Sequence, residues 1–422
     1  MTHPEPVVAV ALELGARQRA GDRQEFDDLV HAAGGTVAAR LGGRRASPDP
    51  ATFIGSGKVV ELADLLGATG AALAVFDHQL TPSQERNLER ALGCRIVDRT
   101  GLILDIFAQR ARTHEGRLQV ELAQLDHLLP RLVGSRTHLA RQQGGIGLRG
   151  PGETQLESDR RLIRQKIDHL RRKLEQVQRR RQLGRTARRR RSTQTAVLAG
   201  YTNAGKSTLF NALTSAQVLA ADQLFATLDP TLRRLAVPGI GPVVLSDTVG
   251  FIRQLPHQLV AAFRATLEEA AQADLIVEVI DAADPDWQGQ AACVQEVLRD
   301  IGAEGVPRLR VFNKIDRLEG AAPRVDRDAE GRPETIWLSA ATGAGLPLLR
   351  AALAERLGPD RVHRCIHLSA RQGRIRALLY EARAVIAESP TEDGGTMIEL
   401  CIPASQLRRI LDSRAPDIHF AD

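Results

Sequence analysis

The octapeptide Gly200-Tyr201-Thr202-Asn203-Ala204-Gly205-Lys206-Ser207 has the form G-x-x-x-x-G-K-S, and no other stretch narrows the fold as far. The pattern needs a strand that feeds a glycine-rich turn opening a helix. Only there do successive backbone N–H groups and a helix N-terminus converge on phosphate oxygens. Apolar residues 196–199 read as that strand, and Thr208-Leu209-Phe210-Asn211 begin the helix. Among 57 basic residues only five are lysine; one closes this octapeptide and another stands in Asn313-Lys314-Ile315-Asp316. A compact ammonium fits beneath a bridging phosphate oxygen, where the broad fork of arginine fits poorly.

Further motifs follow in the order a guanine-nucleotide domain requires. Residues 243–246 read as a strand ending in Asp247-Thr248-Val249-Gly250, a D-x-x-G sequence. Asp247 is suited to hold the shell of a Mg²⁺ through water, and Gly250 to bring its amide to a γ-phosphate. Ser207 is expected to ligate the Mg²⁺ and Lys206 to bridge the β- and γ-oxygens. Between the two phosphate motifs lies Phe225-Ala226-Thr227-Leu228-Asp229, in which Thr227 is the expected switch threonine, completing the metal site. After the apolar strand 309–312 comes Asn313-Lys314-Ile315-Asp316. The carboxylate of Asp316 can accept from both N1–H and the 2-amino group of guanine, donors that adenine lacks at those positions. Ser339-Ala340-Ala341, after strand 335–338, fits the loop whose amide reads guanine O6. The set predicts Mg²⁺-dependent hydrolysis of GTP to GDP, with Lys206, Thr227 and Gly250 closest to the chemistry.

Two departures bear on rate. Small regulatory GTPases such as Ras carry a water-orienting glutamine after D-x-x-G, where this chain has Phe251. A phenyl ring cannot position water, so unaided turnover is expected at about 10⁻³ s⁻¹ or below, with a macromolecular partner completing the site. Asn203 stands where several related GTPases use an asparagine to hold K⁺ beside the phosphates, which makes K⁺ a second candidate cofactor.

The rest of the 422 residues divides by pattern. Residues 1–112 alternate apolar runs (7–12, 36–41, 71–76, 94–97) with helical segments (26–31, 58–66, 84–92, 101–112), which predicts a small parallel α/β domain. Gly55-Ser56-Gly57-Lys58 lacks the spacing of a phosphate loop and reads as a helix start. In residues 113–192, Leu118, Leu122, Leu125, Leu129 and Leu132 recur at helical steps. The rhythm returns in Leu156, Ile163, Ile167, Leu170, Leu174 and Val177. Two such seams predict an antiparallel hairpin, or else two core helices of the flanking domains. Thr154-Gln155-Leu156-Glu157 has the form of a capping box and predicts the second helix from there to about Arg181, ~40 Å long. The tip, 133–153, is rich in glycine and carries Arg141 and Arg149; a connector needs only a few residues, so its length hints at function. Residues 179–191 hold Arg179-Arg180-Arg181, Arg185 and Arg188 to Arg191 with no acid among them, either a solvated linker or a nucleic-acid face. The nucleotide domain is expected over 193–358. A small α/β appendage is expected over 359–422, with helix 371–388, strand 397–402 and a last helix near 406–411.

Composition limits the partners. A formal net charge of +6 leans toward an anion, while aromatic residues at 3% leave few platforms on which bases could stack. An RNA partner would therefore be held through phosphate and shape. No apolar run reaches the ~18 residues that span a bilayer. The N-terminus lacks a signal-peptide pattern. The four cysteines form no C-x-x-C pair, so a reducing cytoplasm is expected; without a spanning run, no integral membrane association is expected.

With these residues in hand, the chain resembles the HflX family of translation-factor-class GTPases, relatives of the Obg and Era GTPases. The resemblance runs through nearly the whole sequence. It rests on Gly200–Ser207 and Asp247–Phe251, on residues 98–107 (DRTGLILDIF) and 119–125 (QVELAQL), and on the highly specific 144–154 (GGIGLRGPGET). It implies a factor that binds the 50S subunit and splits 70S ribosomes under stress, with GTP hydrolysis stimulated by the ribosome; nothing in the sequence suggests an obligate dimer, so a monomer is expected. It further implies that the hairpin loop approaches 23S rRNA, here through Arg141, Gly144, Gly145 and Arg149; the arginine run adds Arg179, Arg180 and Arg181 as candidate rRNA contacts. An ATP-binding role is linked to the family's N-terminal domain. An rRNA-remodelling or 50S-assembly GTPase is the alternative reading. A tRNA-modification GTPase finds no catalytic cysteine motif to support it.

Overall fold

The computed structural model describes residues 5–15, 20–132, 151–190, 194–214, 224–229, 231–253, 269–358, 361–369, 372–382, 384–391, 394–403, 407, 410 and 419–421. The chain is α/β, with three sheets in sequence order.

The first sheet has four parallel strands in the order β2-β1-β3-β4: β1 (Glu5–Leu14), β2 (Gly35–Arg45), β3 (Leu73–Phe76) and β4 (Arg95–Val97). The run Val7-Val8-Ala9-Val10 is apolar throughout because both faces of the sheet are covered. Val7 and Ala9 pack toward α1 (Ala20–Ala32) and α4 (Arg99–Arg110). Val8, Val10 and Leu12 pack toward α2 (Ser56–Thr69) and α3 (Pro82–Leu92). The capping box that is formed in this layer belongs to α3, where Thr81 and Gln84 exchange side-chain-to-backbone bonds and Pro82 opens the helix. The 55–58 segment is a helix start, as expected: Gly55 caps α2 with φ 86°, and Lys58 pairs with Glu61 at 2.6 Å.

The hairpin is present. Helix α5 (His114–Leu128) packs on α6 (Pro151–Arg190) through Leu118, Leu170 and Leu174, flanked by Leu122 and Leu125. Three expectations change. Helix α6 begins at Pro151, so Thr154 lies inside its first turn rather than ahead of it. Proline is well placed there, since the first helical N–H has no intrahelical partner. The helix also runs past the expected end near Arg181 to Arg190, 40 residues or ~60 Å, so the arginine-rich run through Arg190 has helical backbone. Leu129 and Leu132 fall beyond the end of α5.

The second sheet has seven strands, β10-β11-β9-β8-β5-β7-β6, parallel in its centre with an antiparallel strand at each edge. These are β5 (Thr195–Gly200), β6 (Thr231–Val237), β7 (Gly241–Asp247), β8 (Leu275–Asp281), β9 (Arg308–Asn313), β10 (Arg324–Arg327) and β11 (Pro333–Trp337). Along β5 the side chains alternate between two cores. Ala196 and Leu198 face α7 (Lys206–Thr214) and α9 (Leu346–Leu357), whereas Val197 and Ala199 face α8 (Trp287–Asp300). The core on the α8 side is continuous with the α1/α4 side of the first sheet. One hydrophobic body therefore joins the two layers, a feature no local pattern announces.

The third sheet is antiparallel, in the order β13-β14-β12-β15, with strands β12 (Arg361–Leu368), β13 (Val385–Pro390), β14 (Thr396–Pro403) and β15 (His419–Ala421). The helix expected over 371–388 divides into α10 (Gly373–Glu381) and β13, whose pairing with β14 overrides its helical propensity. Of the helix expected near 406–411, only Leu407 and Ile410 lie within the described residues.

Candidate nucleotide site

The site sits where β5 ends and α7 begins. Glycine is obligatory at Gly200 because a Cβ there would overlap the Val279 carbonyl of the adjacent strand. At Gly250 a Cβ would stand 2.8 Å from Thr202 Cα and 3.0 Å from Lys206 Nζ, so the D-x-x-G turn can lie against the phosphate loop only without a side chain. The two loops are stitched together by Thr202 N donating to Phe251 O (2.7 Å) and Phe251 N donating to Gly200 O (3.1 Å). Between them opens a cavity lined by Thr202, Asn203, Gly205, Lys206, Ser207, Thr208, Phe225, Ala226, Thr227, Thr248 and Gly250.

At one end three oxygens converge. Ser207 Oγ lies 2.7 Å from Thr227 Oγ1 and 2.7 Å from Asp247 Oδ2, and Thr227 Oγ1 lies 3.0 Å from the same carboxylate oxygen. The two hydroxyls, 2.7 Å apart, approach the roughly 2.9 Å between adjacent vertices of a Mg²⁺ octahedron with bonds of about 2.0–2.1 Å, and Asp247 Oδ2 stands behind them within hydrogen-bond reach of both. The other carboxylate oxygen, Asp247 Oδ1, is buried with no hydrogen-bond partner, as is Thr202 Oγ1. Among the described residues no cluster of His, Cys, Asp and Glu could hold a metal by itself. A cation here would rest on the hydroxyls, the single carboxylate and phosphate oxygens. Lys206 is buried, with Nζ 2.7 Å from Tyr201 O. Burial pushes its ammonium down to about 8, against the attraction of Asp247. Burial likewise pushes the Asp247 carboxyl above its usual range, against the Ser207 hydrogen bond and the Lys206 charge. Opposite charges short of counter-charge and water are what a Mg²⁺–triphosphate would satisfy.

The base-reading end is assembled by Asn313. Its Nδ2 donates to Ala204 O and its Oδ1 accepts from Ala340 N, both at 2.9 Å, tying the phosphate loop to the 339–341 loop. Ala340 N is thereby committed, and the next residue, Ala341, is exposed. Ser339 Oγ is used within its own turn, accepting from Thr342 N at 3.2 Å. Lys314, at φ 65°, pairs with Asp281 Oδ2 at 2.7 Å, and Asp316 is exposed on the following 3-10 turn. Asp281 escapes sequence reading because it is simply the last residue of an apolar strand.

Several residues grouped with the nucleotide loops turn elsewhere. The side chains of Tyr201, Leu228 and Val249 enter the core shared with the first layer, and so does Phe251, 2% exposed. Thr248 Oγ1 donates to Leu198 O at 2.7 Å. The Tyr201 hydroxyl donates to Glu25 of α1 and accepts from Arg253 N at 3.0 Å. The Arg253 guanidinium reaches Asp22 (2.8 Å) and Asp286. Buried Arg99 of α4 holds Glu25 and Asp77 and donates to Arg253 O at 3.1 Å. The first layer thus grips both phosphate-sensing loops through pairs more than 30 residues apart, for which the sequence offers no spacing signal.

Arg141, Gly144, Gly145 and Arg149 lie outside the described residues. Arg179 is exposed on α6, while Arg180 and Arg181 are helical. No helix among the described residues is long and apolar enough to cross a membrane.

Three stretches of the chain match known families. Residues 21–108 match the model described as GTP-binding GTPase N-terminal, and residues 110–188 the GTP-binding GTPase middle region. Residues 195–314 match the model described as 50S ribosome-binding GTPase. The chain is 55% identical over 389 residues to the GTPase HflX of Escherichia coli, covering 92% of this chain and 91% of that one. It is 47% identical over 409 residues to the GTPase HflX of Magnetococcus marinus, covering 96% and 94%. A crystal structure of a GTP-binding protein from Sulfolobus solfataricus in complex with GDP aligns at TM-score 0.44 and 26% identity, covering 83% of this chain and 98% of that chain.

Proposed function

The chain belongs to the HflX family of GTPases, and from that premise we propose that it is a cytoplasmic factor that docks on the 50S ribosomal subunit and uses GTP to separate 70S ribosomes. What supports the ribosome as partner is the description of the matched domain, a 50S ribosome-binding GTPase, on residues 195–314. The hairpin supports it too: α6 runs 40 residues, roughly 60 Å, onward from the arginine- and glycine-rich stretch that precedes it in sequence.

The chemistry follows from the pocket. Lys206 and the amides of the phosphate loop bind the triphosphate, and Asn313 fixes the loop that meets the base. Ser207 and Thr227 are the hydroxyls that would hold Mg²⁺, with Asp247 behind them through water. A bound Mg²⁺ would neutralise charge growing on the β- and γ-oxygens. Thr227 brings the 224–229 segment over the site, and Gly250 leaves an amide open toward the γ-phosphate. Asn203, exposed at the rim of the cavity, is open to a K⁺ ion, whose effect would appear as a higher rate in K⁺ than in Na⁺.

Phe251 is packed into the core, so no side chain at that place orients water. The free protein is accordingly slow, and the ribosome supplies what is missing. Light scattering of 70S ribosomes mixed with the protein and Mg²⁺ is the test. Loss of scattering with GTP or a non-hydrolysable analogue supports splitting. Binding of 50S with no change in scattering under either nucleotide favours instead a remodelling or assembly role.

A further inference from the structure

The nucleotide-sensing segment 224–229 is fastened to the hairpin by one side chain. Both carboxylate oxygens of Asp229 are used at the start of α5: Oδ2 accepts from Arg112 N and Thr113 N, each at 2.8 Å, and Oδ1 accepts from Thr113 Oγ1 at 2.5 Å. Two residues earlier is Thr227, whose hydroxyl meets Ser207 and Asp247. Between them Leu228 is buried, and upstream the Phe225 ring stands edge-on to Phe107 of α4 at 4.7 Å. The approach is tight enough to dictate sequence on the far side. A Cβ on Gly116 would overlap the Asp229 carboxylate.

We propose that Asp229 is a positioning residue for GTP hydrolysis: anchored on the N-terminus of α5, it holds Thr227 at the metal end of the site. Its carboxylate is spent on Arg112 and Thr113 and does not line the nucleotide cavity. It acts through a span of two residues, short enough that moving one end must move the other. The same anchor makes the root of the hairpin part of the nucleotide switch, because release of Thr227 after hydrolysis frees Asp229 from the Arg112 and Thr113 amides. An order–disorder change in a switch segment would thereby be handed to a helix that carries the hairpin. The inference rests on the GTPase site and stands apart from the ribosome reading.

Two full-length variants break the anchor from opposite sides. Asp229→Asn removes the charge while keeping the shape. Gly116→Ala leaves the switch sequence intact and displaces the carboxylate, although alanine is the better helix former and favours α5 locally. Single-turnover GTP hydrolysis and affinities for GDP and a non-hydrolysable GTP analogue are the readouts. Hydrogen exchange at the Arg112 and Thr113 amides, compared between the two nucleotide states, is added for the parent protein.

Both variants are expected to lower the hydrolysis rate about tenfold, the effect of losing one charge-assisted hydrogen bond from the reacting state. GDP affinity is expected to stay within about twofold, because GDP binding does not require Thr227 at the metal. The two amides should exchange more slowly with the GTP analogue than with GDP. The proposal is overturned if both variants hydrolyse within about twofold of the parent, or if GDP and the GTP analogue weaken equally, which would mark general loosening. It is equally overturned if the amides exchange alike in both states.

Discussion

On the proposed function, Asp316 concentrates base choice in one exposed carboxylate. Guanine presents two donors to it, adenine presents none, and a carboxylate facing the wrong base keeps unmet hydrogen bonds. Asp316→Asn should therefore weaken GDP binding by about a hundredfold while leaving the melting temperature of the free protein unchanged. Titration calorimetry of the variant reads this, and an affinity within a few-fold of the parent would deny Asp316 its role. A second single-residue effect sits at the inner end of the first sheet. Burial and the nearby Arg99 guanidinium hold His78 down to about 4, and its Nδ1 has no hydrogen-bond partner. The folded protein therefore binds fewer protons at His78 than the unfolded chain, and stability is lost as pH falls from about 6.5 toward 4. Asp77 works the other way. Burial raises its carboxyl against the pull of Arg99, so the folded form gains relative stability as pH falls. Removing only the first contribution, with His78→Gln, should make the variant gain on the parent between pH 7 and pH 5. The gain is about 1 kcal/mol once solvent screening of the half-buried ring is allowed for. Denaturant midpoints of both proteins at the two pH values decide it, and a constant difference would contradict the assignment.

At the scale of elements, the hairpin turns a leucine rhythm into structure. Leu170 is 3% exposed between Leu118 and Leu174. Leu170→Ala should cost about 2–5 kcal/mol, read as an earlier unfolding transition, and a loss below ~1 kcal/mol would mean the helices are not packed along this seam. The seam was legible because helical periodicity survives any tertiary context. Helix ends were less so. Thr154-Gln155-Leu156-Glu157 has the composition of a capping box, yet such a string can lie just as well within a first turn. Pro151 was the more telling residue. The 371–388 segment misleads for a related reason: residues 385–390 become a strand only because β14 offers a partner. The strands and glycines of the nucleotide loops were readable in detail, since phosphate chemistry allows so few substitutes there. The contacts of Glu25 with Tyr201 and of Asp229 with Thr113 were not, because nothing local requires residues so far apart in sequence to meet.

For the whole molecule, the consequence is that the first layer, the hairpin root and the nucleotide domain meet at the loops that sense the γ-phosphate. Phe251, Tyr201, Phe225 and Leu228 share a core with Phe107, Ile103 and Val120. The position that holds a water-orienting glutamine in Ras-like GTPases is thus given over to cohesion between layers, and on the proposed function hydrolysis awaits an outside surface. Steady-state GTP turnover of the full chain with Mg²⁺, measured alone and with purified 50S subunits, tests this most directly. The account predicts a rate on the order of 10⁻³ s⁻¹ or below for the free protein, rising at least about a hundredfold with 50S. Turnover near 10 s⁻¹ without ribosomes, or no rise when they are added, would contradict it.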